Sequence, residues 1–450
     1  MKVKNKSVLY KLSVTQIILL SFMAVILIGT ALLCAPFSSS RNEWTDFVTA
    51  LFTATSATCV TGLTVVNTAG YFSTIGHIII LALIQVGGLG IMTIISVFSV
   101  LLSNSSSLRN RNIAMQATGA INYSEIKALL KKIFLGTLSI EFIGAALLSA
   151  SFIPKFGFLK GIKTAVFTAV SAFCNAGFDV FGDSSLSQFV FDPFVTLTIS
   201  LLIITGGIGY ICWSDFIKHK FRFKYYSLHS KIALTTAAAL LLLGTGLFMF
   251  TEFSAAFGDM NFAEKLLNAF FESVTLRTAG FYTVDQAKLS DGGVLIAYIL
   301  MFIGGASGST AGGLKTTTFA VLIISFISTL KNKEHVEVFK RRIPDGFVKA
   351  ALSIVMAYII LLATAIIIIL SIDVGVRGIT LKNVTFEAIS AIATVGVSRG
   401  ITARLSVASK ITLIMLMFMG RVGGFTFMLA FTKTRQTPAT IRPKENILIG

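Results

Sequence analysis

The chain has 450 residues, of which 54% are hydrophobic and only 13% charged, and it carries a formal net charge of +18. A soluble domain carries about 25% charged residues, so the composition excludes an ordinary soluble enzyme or scaffold and points to an all-α polytopic membrane protein. The positive charge is spread over five short segments with no soluble face to gather it, which argues against nucleic acid as a partner.

A ~30 Å hydrocarbon core takes roughly 20 apolar residues to cross. In chain order, spans are expected at 15–35, 75–102, 133–153, 192–214, 231–250, 293–327, 347–370 and 408–432. Between the members of each pair lies a shorter apolar segment, at 46–58, 162–174, 263–276 and 381–393. Each is too short to span and is expected to enter the membrane and return, lining a cavity or buried in protein. The chain thus divides into four tandem units, each a membrane helix, a pore loop and a second membrane helix: 1–105, 106–222, 223–336 and 337–450. Basic residues before the first span give it a signal-like look. The run is too long for a signal peptide and is expected to be retained.

Lysines and arginines cluster in alternate connections. They are Lys2, Lys4, Lys6 and Lys11; Arg109, Arg111, Lys127, Lys131 and Lys132; Lys218, Lys220, Arg222, Lys224 and Lys231; Lys331, Lys333, Lys340, Arg341, Arg342 and Lys349; and Lys433, Arg435, Arg442 and Lys444. With eight spans these fall on one side, which the positive-inside rule makes cytoplasmic, both termini included.

Each short segment ends in a common frame: a phenylalanine ten residues before a glycine, at Phe52–Gly62, Phe167–Gly177, Phe270–Gly280 and Phe386–Gly396. Three copies place Ser-Ala six and five residues before the glycine, at Ser56-Ala57, Ser171-Ala172 and Ser390-Ala391, whereas the third has Val274-Thr275. The glycines lie 115, 103 and 116 residues apart, a period long enough for one supersecondary unit. A single glycine of this kind would read as a helix C-cap. Four at matched distances read as the parts of one pseudo-four-fold pore.

The candidate filter residues are Val60, Thr61, Gly62 and Leu63; Asn175, Ala176, Gly177 and Phe178; Thr278, Ala279, Gly280 and Phe281; and Thr394, Val395, Gly396 and Val397. A cation filter is built of backbone carbonyls that replace the hydration shell. Aiming successive carbonyls inward requires positive φ, which glycine adopts without steric cost. The short helices would direct their partially negative C-terminal ends at the same cavity. Each tetrapeptide lacks the second glycine of a Thr-Val-Gly-Tyr-Gly filter, so fewer carbonyl rings and a weaker choice between potassium and sodium are expected.

The Ser-Ala-Thr-Cys-Val-Thr-Gly-Leu run at 56–63, Asn-Ala-Gly-Phe at 175–178 and Arg-Thr-Ala-Gly-Phe at 277–281 resemble the filters of the Trk/Ktr/HKT superfamily of potassium transporters, and the whole chain is most similar to the Ktr-type membrane subunit. The resemblance implies potassium uptake across the plasma membrane, with K+ held by filter carbonyls and Na+ a possible activator or co-ion. It also implies a homodimer of membrane subunits seated on a cytosolic ring of RCK-type nucleotide-binding subunits, and no cofactor bound by this chain itself.

Glycines also mark the second spans, as Gly87-Gly88-Leu89-Gly90, Gly206-Gly207-Ile208-Gly209, Gly304-Gly305 and Gly420-Arg421-Val422-Gly423-Gly424. Close helix packing accounts for glycines in such places. The third copy goes further, because residues 304–315 are nearly all small or polar, a poor helix in mid-span. Gly304, Gly305, Ser307, Gly308, Ser309, Thr310, Gly312, Gly313 and Lys315 are therefore candidate gate residues, beginning roughly 17 Å along their span. Arg421 lies roughly 20 Å along the last span, and a charge at that depth is a functional hypothesis by default. Its expected partners are carbonyls or hydroxyls of Ser307, Ser309 and Thr310, and in the resembled family an arginine at this place helps close the path. Residues 308–316 imitate a phosphate-binding loop, but Leu314 intrudes before the lysine and no strand precedes it.

Asp46, Glu272 and Glu387 lie near the pore mouth, either concentrating cations or tying short helices to neighbouring loops, and Asp179 is expected in the outer vestibule. The four cysteines and four histidines show no ligand spacing. Paired acids or a nucleophile at span depth are also missing, so an enzyme is not expected. A secondary transporter of another cation is the competing transport reading, against which the four units share one orientation where such folds invert theirs.

Overall fold

The computed structural model describes residues 14–90, 123–182 and 184–423. The first unit contains α1 (Val14–Cys34), α2 (Phe47–Thr58) and α3 (Thr74–Leu89). The second contains α4 (Tyr123–Phe156), α5 (Phe158–Cys174), α6 (Pro193–Gly207) and α7 (Tyr210–His219). The third contains α8 (Leu228–Glu252), α9 (Phe262–Thr275), α10 (Asp291–Phe302) and α11 (Thr316–Leu330). The fourth contains α12 (Asp345–Ile372), α13 (Leu381–Ile392) and α14 (Val407–Val422). A two-stranded hairpin, β1 (Glu337–Val338) with β2 (Arg341–Arg342), connects the third unit to the fourth.

The opening helix of every unit is long and apolar enough to cross a bilayer: Thr15–Cys34, Ile133–Phe156, Leu228–Glu252 and Asp345–Ile372. Most of each such helix faces outward, which suits lipid. The short helices α2, α5, α9 and α13 match the expected re-entrant segments and are buried over their C-terminal halves. Their starts are fixed locally. Asp46 caps α2 by accepting from Thr49 N–H, Asn261 and Glu264 form a reciprocal capping box on α9, and Thr380 caps α13.

The second helix is interrupted in the second and third units, so two of the eight expected spans are not continuous. The expected 192–214 span is two helices, α6 and α7, bent by 95° at Ile208-Gly209. The expected 293–327 span is split by residues 303–315 between α10 and α11. α3 stops at Gly90 and α14 at Gly423, and the rest of those two expected spans lies outside the described residues. So do the basic residues of the N-terminus, of 109–111 and of the tail. The physical cause recurs: Gly90, Gly209 and Gly423 have φ of 81°, 95° and 92°, a left-handed conformation that ends a helix. Each follows an earlier glycine, Gly87, Gly206 or Gly420, by three residues. A Cβ on that earlier glycine would collide with a carbonyl at the C-terminal end of the unit's own short helix, that of Thr58, Phe173 or Ile392. Close packing is therefore the role of the first glycine, and helix termination that of the second.

Candidate functional site

The four short helices bring Gly62, Gly177, Gly280 and Gly396 into one closed ring. A Cβ on Gly62 would lie 2.6 Å from the Ala176 carbonyl oxygen, and one on Gly177 2.9 Å from that of Ala279. A Cβ on Gly280 would lie 2.6 Å from the Val395 carbonyl oxygen, and one on Gly396 would overlap that of Thr61, which closes the circuit. Every glycine thus abuts the carbonyl of the next unit in chain order, with no room for a side chain. The four φ values are 96°, 68°, 84° and 97°.

A second left-handed position accompanies each glycine, two residues earlier. Val60, Asn175, Thr278 and Thr394 have φ of 57°, 58°, 75° and 51°. Three of these are β-branched, for which such a conformation is a true outlier, at a cost of order 1–3 kcal/mol each. Left-handed residues on either side of Thr61, Ala176, Ala279 and Val395 turn successive carbonyls to one side of the strand. The side chains around them are fully buried, from Val60 and Thr61 to Val395 and Val397. At the four glycines backbone closes on backbone, with no side chain between.

Hydroxyls at the ends of the short helices hold this backbone. Gly62 N–H donates to Ser56 Oγ at 3.1 Å, and Gly396 N–H to Ser390 Oγ at 3.0 Å. Ser171 Oγ donates to the Phe178 carbonyl at 2.6 Å, and Thr275 Oγ1 to the Phe281 carbonyl at 2.5 Å. The third unit is one residue out of step with the frame read from the sequence. Phe271, not Phe270, is fully buried like Phe52 and Phe386, and it precedes Thr275 by the four residues that separate Phe52 from Ser56. The common unit is a phenylalanine and a hydroxyl one helical turn apart, followed in the third copy by a shorter turn. Ser390→Ala should therefore leave Gly396 N–H buried and unpaired, at about 1–3 kcal/mol. The expected result is weaker ion affinity with normal membrane expression, read from the concentration dependence of uptake.

On one side of the ring a cavity of about 530 Å³ opens, lined by Asp179, Asp285 and Arg399 among others. The acids near this mouth serve as ties. Glu272 accepts from Gln286 Nε2 at 3.1 and 3.2 Å, and Glu387 accepts from Ser398, from Thr402 at 3.0 Å and from Arg399 N–H at 3.1 Å. Asp46 is the cap of α2. Asp179 lines this cavity. Arg399, which sequence reasoning passed over, reaches from the fourth unit to the Gln286 and Ala287 carbonyls of the third.

On the other side lies the 303–315 segment, which is ordered by hydrogen bonds rather than loose. Gly304 N–H donates to the Leu314 carbonyl at 2.8 Å, and Thr316 N–H to that of Gly305 at 3.0 Å. Ala306 and Thr310 N–H donate to the Gly207 and Gly206 carbonyls at 3.0 and 3.3 Å. Lys315 Nζ folds back on the Ala311 carbonyl at 2.6 Å. Gly312 touches the ring directly, since a Cβ there would overlap Thr394 Oγ1. Gly313 packs against Ala393, whereas Gly308 faces outward. Arg421 donates to the carbonyls of Thr310 and Gly87, and at 3.3 Å to that of Gly88. Thr310 is the expected partner, through its backbone. Ser307 and Ser309 are not partners, because their hydroxyls bond Thr317 at 2.9 Å and the Ala306 carbonyl at 2.6 Å. Arg421 and the segment thus play matching parts: each satisfies the glycine-pair carbonyls of a neighbouring second helix.

Short helices that end at one ring of backbone, each following a helix long enough to cross a bilayer, define a membrane transport protein. The chain belongs to the TrkH family, described as cation transport protein, whose profile matches residues 11–441. This is a family of transporters and not of enzymes. The chain is 40% identical to the potassium/sodium uptake protein NtpJ of Enterococcus hirae over the full length of both. It is 37% identical to the Ktr system potassium uptake protein B of Bacillus subtilis, over 94% of each. Among solved structures it resembles the potassium transporter TrkH of Vibrio parahaemolyticus, with a TM-score of 0.73 and 17% identity over 96% of this chain and 87% of the other. At that identity the structural likeness speaks for the fold.

Proposed function

We propose that this chain takes potassium up across the plasma membrane along the axis of the glycine ring. The ring is the filter, and residues 304–315 with Arg421 form a barrier beneath it. The observation that carries the reading is the closure of Gly62, Gly177, Gly280 and Gly396 onto one another's neighbouring carbonyls, which leaves backbone oxygen as the lining. A ring of carbonyls replaces the hydration shell of a bare cation and offers nothing to an anion. The buried hydroxyls of Thr278 and Thr394 make no hydrogen bond among the described residues; that of Thr394 stands beside Gly312 of the barrier, and the Thr278 methyl packs near Gly304. They add further oxygen just below the ring.

The barrier reading rests on position and charge. The segment meets the ring at Thr394, and Arg421 places a fixed positive charge beside the cation path. In this reading the cavity lined by Asp179 is the outer vestibule, and the basic connections with both termini are cytoplasmic. K+ is the transported ion, and Na+ enters as co-ion or activator. The chain pairs as a homodimer on a cytosolic ring of nucleotide-binding RCK subunits, whose state sets the barrier. The relatives named as parts of a Ktr system support such a second component. The test is growth and rubidium uptake in a bacterium lacking its own potassium uptake, with and without a co-expressed cytosolic subunit, at stepped external sodium. Rescue at low potassium, enhanced by the partner, is expected. No uptake of potassium or sodium under any of these conditions would overturn the reading.

A further inference from the structure

The 95° bend at Gly209 sends α7 away from the axis of α6. The segment that follows, through Tyr226, leads directly into the start of α8, which Ser227 caps. α8 is about 37 Å long at 1.5 Å per residue, and its far end, Glu252, bonds Ser290 beside the vestibule-lining stretch. Residues 218–226 therefore lie at the membrane boundary on the face opposite the vestibule. Apolar and basic side chains alternate here in the open. Phe216, Ile217 and Phe221 are 48%, 56% and 90% exposed, the last being extreme for a phenylalanine. Phe216 and Phe221 pack edge to face, with ring centroids 5.5 Å apart. Between and beyond them stand Lys218, Lys220 and Arg222, which with His219 and Tyr225 line a pocket of about 470 Å³. The His219 and Tyr225 rings stack at 6.1 Å and form one wall.

None of the ion pairs among the described residues involves these bases. The one acid on α7, Asp215, is taken by Ser227, which donates to it from N–H at 3.0 Å and from Oγ at 2.7 Å. The hairpin after α11 extends the surface: the Phe339 and Phe223 rings pack edge to face with centroids 6.3 Å apart, and Lys340 in its turn and Arg341 in β2 are exposed.

We propose that residues 216–225 form a binding site for an anionic phospholipid of the leaflet opposite the vestibule. Phe216, Ile217 and Phe221 enter the acyl boundary, while Lys218, Lys220 and Arg222 hold the headgroup phosphate. An element with apolar side chains on one side and unneutralised bases beside them, lying across the spanning direction, is how an interfacial segment is built. Each base near an anionic surface favours it by roughly fivefold. A water-soluble protein partner would leave the three apolar side chains unexplained at this depth. The site also adjoins the barrier, since Tyr210 N–H at the start of α7 donates to the Gly308 carbonyl at 2.9 Å.

The chain has two tryptophans, Trp44 and Trp213, and Trp213 lies in α7. In a Trp44→Phe background, Trp213 emission reports lipid seated at this site. The full-length protein, reconstituted in phosphatidylcholine, is titrated with phosphatidylglycerol or phosphatidylcholine carrying brominated acyl chains. Phosphatidylglycerol should quench with at least about tenfold higher relative affinity. Lys218→Gln with Lys220→Gln and Arg222→Gln should abolish that preference, and Lys218→Arg with Lys220→Arg should keep it, which separates loss of charge from loss of fold. Equal quenching by the two lipids in the parent overturns the proposal, as does a preference that survives the glutamine variant. Equal quenching combined with failure of the glutamine variant to retain a co-expressed soluble subunit would make the surface a protein dock instead.

Discussion

Gly396→Ser will lower the ratio of potassium to sodium uptake by at least about tenfold, or ~1.4 kcal/mol, in protein that still reaches the membrane. Two effects add. At φ of 97° a residue with a side chain is strained whatever the space. The Cβ would also overlap the Thr61 carbonyl oxygen, so that carbonyl must turn from the axis. Gly62→Ser should act through the Ala176 carbonyl in the same way, with a milder clash at 2.6 Å. Uptake measured across potassium and sodium concentrations, with membrane abundance as the control, decides it. Normal affinity and normal ion preference in all four serine variants would remove the ring from the transport path.

Arg421→Ala will raise potassium flux, by about tenfold or more, and weaken its dependence on a regulatory subunit. The guanidinium donates to the carbonyls of Thr310, Gly87 and Gly88. Its loss leaves the Thr310 and Gly88 carbonyls without that donor, at about 1–3 kcal/mol for each buried group, while the Gly87 carbonyl keeps the bond from Gly90 N–H at 3.2 Å. On the proposed barrier reading, the penalty falls on the barred arrangement, and the positive charge beside the path disappears with it. Arg421→Lys should be intermediate, because a lysine keeps the charge but not the rigid fork of donors that meets several carbonyls at once. The measurement is potassium flux into proteoliposomes with and without the partner. Unchanged flux in folded protein would reduce Arg421 to a packing device.

The repeat, the short helices and the four glycines were legible because each is written in residue types with few other uses: long apolar runs, and glycine where the backbone turns left-handed. The second left-handed position in each unit was not legible. Val60, Thr278 and Thr394 are among the least suitable residues for that conformation, and only the surrounding packing holds them there. The one-residue offset of the third unit was hidden because Phe270 and Phe271 are adjacent and only burial tells which is structural. The Ser-Ala pairs were visible as a signature. Their hydrogen bonds to the ring follow from the end of the helix turning back on itself, which a linear pattern does not display. The ends of α3, α6 and α14 could have been found from the recurring Gly-x-x-Gly of Gly87/Gly90, Gly206/Gly209 and Gly420/Gly423. Of the expected partners of Arg421 only Thr310 is one, since the hydroxyls of Ser307 and Ser309 bond Thr317 of α11 and the Ala306 carbonyl.

Among the described residues, the long break in a second helix belongs to the third unit alone. An assembly of four identical chains would have to carry such an insertion in every quadrant, and four copies would crowd one axis. Tandem fusion of the units removes that constraint, because a single quadrant can hold the insertion while its neighbours diverge to receive it. The glycine pair of the second unit accepts the insertion, and in the last unit an arginine stands where the first two units carry the second glycine of their pairs. Departure from symmetry, in such a chain, is open to one unit without being forced on the other three.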